Sequence, residues 1–104
     1  MAHIGLYTCV LETPWVQTLK EKRSVVKSIT EKLKSRFPVS VARLSGQNTH
    51  HWEQIGVVMI HADPKWIEQH LQWIVEWIHK EALLSFRDEQ LAVVPLAEFL
   101  DMSD

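Results

Sequence analysis

Alternating apolar and polar residues predict β-strands in several parts of the chain. Residues 3–11 (HIGLYTCVL) are rich in β-forming residues and partly apolar on both faces, which is typical of a central strand. Residues 39–44 alternate small and large side chains, and residues 55–61 are a nearly continuous apolar run, as in a buried strand. A fourth strand is predicted within residues 90–100, where Pro95 restricts it to a sheet edge because proline cannot donate a ladder hydrogen bond.

A period of 3.6 residues replaces this alternation in residues 18–37 and predicts an amphipathic helix. Its apolar stripe consists of Leu19, Val26, Ile29, Leu33 and Phe37. Thr18 is the expected N-cap, and Glu21 occupies the position that completes a capping box. Pro38 ends the helix because it lacks a backbone N–H and disfavours the α conformation at the preceding residue.

A second helix is predicted from Asp63, as N-cap, and Pro64, at the first helical position, to about residue 84. Its core stripe consists of Ile67, Leu71, Ile74 and Ile78. A second stripe, about 100° away, consists of Trp66, His70, Trp73 and Trp77. These tryptophans either close the seam against the first helix or the loops, or form a partner-binding surface. Stacking on RNA bases is a third interpretation, which Glu68 and Glu76 on the same helix disfavour.

The order strand, helix, strand, strand, helix, strand is that of an α+β, ferredoxin-like βαββαβ two-layer sandwich. Such a fold has an antiparallel four-stranded sheet, with the first and third strands in the centre and two helices on one face. We expect residues 1–104 to form a single domain of this kind. The other sheet face has no cover within the chain, so we expect Thr8, Val10 and alternate residues of 55–61 to be exposed there. A second copy or another partner could cover this face, and a homodimer is one of these two expectations.

Positive charge is concentrated in the first helix. Residues 18–37 contain seven of the eleven Lys and Arg residues and two acidic residues, a net charge of +5, whereas the rest of the chain carries −7. Four of the cations fall within an arc of about 60° on the helical wheel: Lys20, Arg23, Lys27 and Lys34. A solvated helix face is the simpler interpretation, and a ridge that contacts nucleic-acid phosphates is the alternative. Lys22 and Arg36 lie toward the apolar flank, where we expect them to support stability.

Composition and residue spacing argue against several other classes of protein. Apolar residues make up 46% of the chain, which excludes a disordered protein, and the lone Cys9 is expected to be a small buried group. The six histidines lack metal-ligand spacing, and no nucleophile motif or phosphate-binding glycine loop occurs. We therefore predict no metal, no cofactor and no enzymatic activity. The absence of a signal peptide and of a long apolar run predicts a cytoplasmic protein without a membrane association.

The segment TLKEKRSVVKSITEKLKSRFPVSVARL (residues 18–44) resembles the YlxP-like family of small bacterial proteins. That family has a Ser-Leu-Lys-Glu-Lys-Arg start, a helix that ends in Arg-Phe, and an Asn-Val-Ser-Val-Ala strand. The matching positions are residues 19–23, 36–37 and 39–42, with Thr18 in place of serine and Pro38 in place of asparagine. The loop before the third strand departs from the family, which has Gln-Asp-x-Trp-Gln-Arg where residues 47–52 read QNTHHW.

The resemblance implies a ferredoxin-like fold and no catalytic residues. Because members of the family are often encoded among genes for translation initiation and ribosome maturation, it also implies a role near the ribosome. Our first hypothesis is therefore a non-enzymatic protein that binds ribosomal RNA or the ribosome through the basic helix. The alternative is a dimeric protein–protein interaction or regulatory module that uses the open sheet face and the tryptophan stripe.

Overall fold

A computed structural model describes residues 1–81 and 84–100 of the chain. Its elements, in chain order, are β1 (His3–Glu12), α1 (Leu19–Arg36), β2 (Ser40–Ser45), β3 (Trp52–His61), α2 (Pro64–Lys80), β4 (Ser85–Pro95) and α3 (Leu96–Leu100). The strands form one antiparallel sheet in the order β2-β3-β1-β4. This is the predicted ferredoxin-like arrangement, with the first and third strands in the centre and the second and fourth at the edges.

Both long helices begin at the caps that the sequence predicts. The Thr18 Oγ1 accepts a hydrogen bond from the Glu21 backbone N–H at 3.1 Å. The Glu21 carboxylate accepts from the Gln17 N–H at 3.3 Å, one residue before the position that a capping box predicts. At the start of α2, the Asp63 Oδ1 accepts from the Lys65 N–H at 2.9 Å. These bonds satisfy N–H groups that the first turn of a helix leaves unpaired.

The core lies between the sheet and the inner faces of α1 and α2. β1 contributes Tyr7, Cys9 and Leu11, which are all fully buried. The buried apolar residues of the two helices are Val26, Ile29, Leu33, Ile67, Leu71, Ile74 and Ile78. Gly5 allows α2 to approach β1 closely, because a Cβ at that position would lie 2.3 Å from the Cγ2 of Ile67. The predicted apolar stripes of both helices therefore face one shared core.

The C-terminal part of the chain differs from the prediction. α2 ends at Lys80 instead of about residue 84, and β4 spans Ser85–Pro95 instead of lying within residues 90–100. The first half of β4 is polar and lacks a clear alternation, but it pairs with β1 at a sheet edge, where polar side chains can meet solvent. Pro95 is the last residue of the strand, and α3 follows it directly. The predicted edge position of this strand is confirmed.

The sheet face opposite α1 and α2, here called the open face, carries exposed apolar side chains. Leu6 and Val58 are cross-strand partners on it and are 42% and 38% exposed, and Ile60 is 61% exposed. Leu44 lies over Gly56 on the same face, since a Cβ at Gly56 would be 2.8 Å from its Cδ1. An apolar surface of this kind is suited to contact with another molecule.

The burial of Val10 contradicts its predicted exposure on the open face. The alternation places it beside Thr8 as an exposed residue, but Val10 is buried. Its cross-strand partners are Gln54 and Arg87, and side chains of that length can cover a neighbouring valine. Thr8 is half-buried, so the exposed part of the open face lies nearer Leu6.

Candidate nucleic-acid interface

The basic flank of α1 consists of Lys20, Arg23, Lys27 and Lys34, and all four residues are exposed. The Lys27 ammonium approaches the Glu31 carboxylate at 4.0 Å, but the two side chains are 72% and 62% exposed, so the pair contributes little to stability. Within the ranges 1–81 and 84–100, the other three cations form no ion pair. Their charge is therefore available to a ligand.

The four cations lie along one continuous element. Lys20 and Lys34 are fourteen positions apart in the uninterrupted helix Leu19–Arg36. At 1.5 Å per residue this separation is about 21 Å along the helix axis, which matches several phosphates of a nucleic-acid strand. The cations do not need to be assembled from separate loops, so a polyanion would meet a surface that is already in place.

Lys22 has a different environment, although it is adjacent to the basic flank in the sequence. Its side chain is fully buried, and its Nζ lies 3.1 Å from the buried Glu53 carboxylate. The ammonium also donates to three backbone carbonyl oxygens, those of Gly46 (2.6 Å), Gln47 (3.2 Å) and Trp52 (3.3 Å). Lys22 thus joins α1 to the loop between β2 and β3 and does not belong to the basic flank.

The buried Glu53 carboxylate also pairs with Arg43, whose side chain is 32% exposed, and we call the three residues the Lys22–Glu53–Arg43 cluster. Among the ion pairs of the described residues, Glu53 is the one carboxylate that Lys22 and Arg43 share. The Arg43 guanidinium binds it with two nitrogens, Nη2 at 2.8 Å from Oε1 and Nε against Oε2. Burial alone would raise the pKa of Glu53, but the hydrogen bonds from Arg43 and Lys22 outweigh burial and lower the pKa. The carboxylate is therefore ionised at neutral pH and holds both cations.

Main-chain contacts hold the loop between β2 and β3. Gly46 has a φ of +79°, and the Trp52 ring lies 2.5 Å from where a Cβ of Gly46 would be. On the other side, the Thr13 N–H donates to the carbonyl of His51 at 2.8 Å, and its Oγ1 donates to the carbonyl of His50 at 3.0 Å. The loop departs from the YlxP-like pattern in its side chains, but these contacts involve carbonyl groups that any residue supplies.

Three residues of the predicted tryptophan stripe take part in a stack of rings. Trp66 lies between two imidazoles, with ring centroids 4.1 Å from His61 and 3.7 Å from His70. Trp73 meets His70 edge-on at 5.0 Å and is 46% exposed. We call these four rings the aromatic stack. His61 is the last residue of β3 and was not among the predicted site residues. The reversal of the chain before α2 brings its ring against Trp66.

Trp77 is the fourth residue of the predicted stripe and is separate from the aromatic stack. The Arg36 guanidinium lies 5.6 Å from the centroid of its ring, a cation–π contact between α1 and α2. Trp77 is half-buried against the core. Trp77 therefore closes the seam between α1 and α2, whereas the other three residues of the stripe belong to the aromatic stack.

Both acidic residues of α2 border a groove on the β4 side of the helix. Glu68 and Glu76 border a groove of about 380 Å³ between α2 and β4. Leu71, Val75 and Leu91 form much of its apolar lining, and none of its lining residues is a tryptophan. Glu68 therefore lies away from the aromatic stack, whereas Glu76 also neighbours Trp73, three positions earlier on the helix.

A second hydrogen-bonded cluster joins β1, β4 and α2. The Tyr7 hydroxyl donates to the Glu89 Oε2 at 2.5 Å, and the His79 Nε2 lies 2.8 Å from the same oxygen. Asp88 has a φ of +53° at a bulge in β4, and the bulge places Glu89 on the helix side of the sheet. Burial raises the pKa of Tyr7 and raises the pKa of the Cys9 thiol to about 11. Both groups are protonated at neutral pH, so neither is an activated nucleophile.

Histidine side chains in the described part of the chain contact aromatic rings, backbone groups and a carboxylate. His61 and His70 contact Trp66, and His79 stacks on Phe86 at 4.1 Å. No group of three His, Cys, Asp or Glu side chains in residues 1–81 and 84–100 is arranged to hold a metal ion. The helices in those ranges include none that is long and apolar enough to span a bilayer.

A family model described as "Protein of unknown function (DUF503)" matches residues 4–90, which include the basic flank, the Lys22–Glu53–Arg43 cluster and the aromatic stack. No curated protein sequence is significantly similar to the chain. Among solved structures, the de novo designed protein Foldit4 is similar over 89% of this chain and 97% of its own, with a TM-score of 0.51 and 18% identity. At this identity the similarity concerns the fold alone.

Proposed function

The chain belongs to the DUF503 family, and we propose that it is a non-enzymatic RNA-binding protein that uses the basic flank of α1. The observation that carries the proposal is the set of four exposed cations on one flank of a continuous helix. Cations held on a rigid element release condensed counterions when they contact phosphates, which is the main source of affinity for nucleic acid.

The proposed ligand is structured RNA, with ribosomal RNA as the first candidate. The resemblance of residues 18–44 to the YlxP-like family supports this choice, because genes of that family often lie beside genes for ribosome maturation. We propose the finer assignment to YlxP-like proteins on the same motif. A cytoplasmic location goes with this role, since ribosomes assemble there.

The test removes charge from the basic flank without removing core contacts. The triple variant Arg23→Gln, Lys27→Gln, Lys34→Gln should bind ribosomal RNA at least severalfold more weakly than the parent protein. It should also have a smaller slope of log affinity against log salt, because fewer counterions are released. Fluorescence anisotropy with labelled RNA at several salt concentrations measures both quantities.

A charge-matched control distinguishes the effect of losing the basic flank from the effect of a lower net charge on RNA binding. Lys32, Lys65 and Lys80 are exposed cations outside the basic flank, and their triple change to Gln removes the same charge. We expect this control to bind RNA nearly as tightly as the parent. Equal losses in both triple variants, or no loss in either, would contradict the assignment of the basic flank as an RNA site.

A second candidate function is a homodimer or protein–protein module. The exposed Leu6, Val58 and Ile60 on the open face support it, as does the exposed Trp73 of the tryptophan stripe. If two copies meet through the open face, Ile60→Lys should convert a dimer into a monomer without loss of helical content. Light scattering that reports a monomer for the parent protein would reject this candidate.

A further inference from the structure

The aromatic stack has one open end. His61, Trp66 and His70 are nearly parallel, with interplanar angles of 10° and 27°, and each supports the next. Trp73 follows edge-on against His70 and remains 46% exposed. An exposed indole that is held by neighbouring rings is a suitable platform for an unpaired base, because little side-chain freedom is lost when the base stacks on it.

The cations at the end of α1 lie on both sides of that helix. Arg36 contacts Trp77, which is one helical turn from Trp73 on the same flank of α2. Lys34, in the same last turn of α1, belongs to the basic flank on the other side. Cations therefore lie on both sides of the end of α1, with Lys34 on the basic flank and Arg36 beside Trp77, about 160° apart on the helical wheel.

The two acidic residues of α2 differ in their distance from Trp73. Glu68 and Glu76 border the groove against β4, together with Leu91. On the helical wheel Glu68 lies about 170° and Glu76 about 90° from the centre of the tryptophan stripe, but Glu76 is about 60° from Trp73 and three positions after it. Repulsion of RNA by Glu68 therefore applies to a different surface of α2, whereas the Glu76 carboxylate lies beside Trp73.

We propose that the basic flank and the aromatic stack form one site for single-stranded RNA. Phosphates contact the cations from Lys20 to Lys34 and then Arg36, and an unpaired base stacks on Trp73. This inference rests on the proposed function and specifies its ligand, because the bases of a duplex are already stacked on one another and cannot reach Trp73. A protein segment that covers Trp73 is the competing occupant, which the experiment below distinguishes.

The experiment compares three labelled probes by fluorescence anisotropy. They are an oligouridylate of about ten nucleotides, a hairpin duplex with the same number of phosphates, and an abasic strand of the same length. The parent protein should bind the oligouridylate most tightly. Trp73→Ala should weaken that binding by about fivefold or more, the lower end of what base–aromatic stacking contributes. The same variant should bind the abasic strand as the parent does, with an unchanged salt slope.

Two control variants test the specificity of this effect. Trp15→Ala removes an indole of similar exposure, 45%, from the connection between β1 and α1. It should leave all three affinities unchanged. Trp73→Phe keeps a ring at the same position and should recover most of the binding to the oligouridylate. Circular dichroism of each variant verifies that the fold is intact.

The outcomes separate this inference from the proposed function. If Trp73→Ala binds the oligouridylate as tightly as the parent, while the triple Gln variant of the basic flank loses RNA binding, the inference is wrong and the proposed function stands. If the parent protein binds the hairpin duplex more tightly than the oligouridylate, the inference is also wrong and the proposed function stands. If the triple Gln variant binds as the parent does, the proposed function fails. If Trp73→Ala changes only the oligomeric state in light scattering, Trp73 belongs to a protein interface and the inference is wrong.

Discussion

Lys22 and Arg23 are adjacent in the sequence, but α1 turns them toward opposite environments. Lys22 is fully buried against Glu53 and three carbonyl groups, whereas Arg23 is exposed and has no ion pair in the described ranges. Loss of one partner from a buried ion pair typically costs about 3–5 kcal/mol, while an exposed pair contributes about 0–1 kcal/mol. The same type of side chain is therefore structural in one place and available to a ligand in the other.

This difference changes how the charge of α1 is interpreted. The net charge of +5 in residues 18–37 includes Lys22, whose ammonium is neutralised by Glu53. The part of the charge that a ligand can contact is the exposed basic flank, which is identified by burial and by partners rather than by residue type. The comparison predicts that neighbouring substitutions in one helix will affect different properties.

The largest effect is expected for Lys22→Met. It leaves the buried Glu53 with Arg43 alone and removes the donor to the loop carbonyls, so we expect a loss of about 3–5 kcal/mol in the free energy of unfolding. Arg23→Met is the matched control and should change it by less than about 0.5 kcal/mol. The double variant Lys22→Met, Glu53→Gln should recover part of the loss. Urea unfolding curves that coincide for the two single variants would contradict the structural role of Lys22.

A smaller effect is expected for Gly46→Ala, in the loop that Lys22 holds. The φ of +79° strains any residue with a Cβ, and the Trp52 ring must move from its position 2.5 Å away. We expect a loss of about 1–3 kcal/mol in unfolding free energy. In a Trp52→Leu background, the same change should cost less because the steric conflict is reduced. An equal cost in both backgrounds would show that backbone strain alone is responsible.

Acid should weaken the fold through Glu53 and Glu89. Both carboxylates have a pKa below the ordinary value of 4.5 in the folded protein, where hydrogen bonds from Arg43 and Lys22, or from Tyr7 and His79, outweigh burial. The unfolded chain therefore takes up protons first, so their stabilisation is complete above about pH 4.5 and is lost as the pH falls through the lower folded pKa. Glu53→Gln should unfold at a lower temperature at neutral pH and show a shallower decline in acid. Thermal unfolding followed by circular dichroism at several pH values measures both effects.

The fold was predictable because its signals are local. Thr18 and Asp63 mark the helix starts, and apolar periodicity separates the helices from the central strands. The start of β4 was not predictable in this way, since the residues from Ser85 to Gln90 are mainly polar and form a strand only because β1 pairs with them. Local pattern favours neither strand nor loop in such an edge segment.

The candidate site was predictable in part. The wheel position of Lys22 indicated that its stem would pack inside, but nothing local indicates that Glu53 is its partner, because the two residues are distant in sequence and meet through the fold. His61 is only five residues from Trp66, but the helical pattern does not include it, and the reversal of the chain before α2 brings the two rings together. The exposure of the basic flank followed from helical geometry, and its binding of RNA stays a prediction.

The smallest effect on stability is expected for the basic flank itself. Lys27→Gln removes the loose pair with Glu31, which contributes about 0.2–0.5 kcal/mol, and also relieves a like-charge contact with Arg23 one turn earlier, which costs a similar amount. The two changes nearly cancel, so the unfolding free energy should shift by less than about 0.5 kcal/mol. Because both interactions are between exposed charges, the shift should shrink further in about 0.5 M salt. Urea unfolding at low and high salt, with Glu31→Gln as the control that removes only the attraction, measures this balance. A loss above about 1 kcal/mol for Lys27→Gln would assign the flank a structural role, and weaker RNA binding by the triple variant could then reflect partial unfolding.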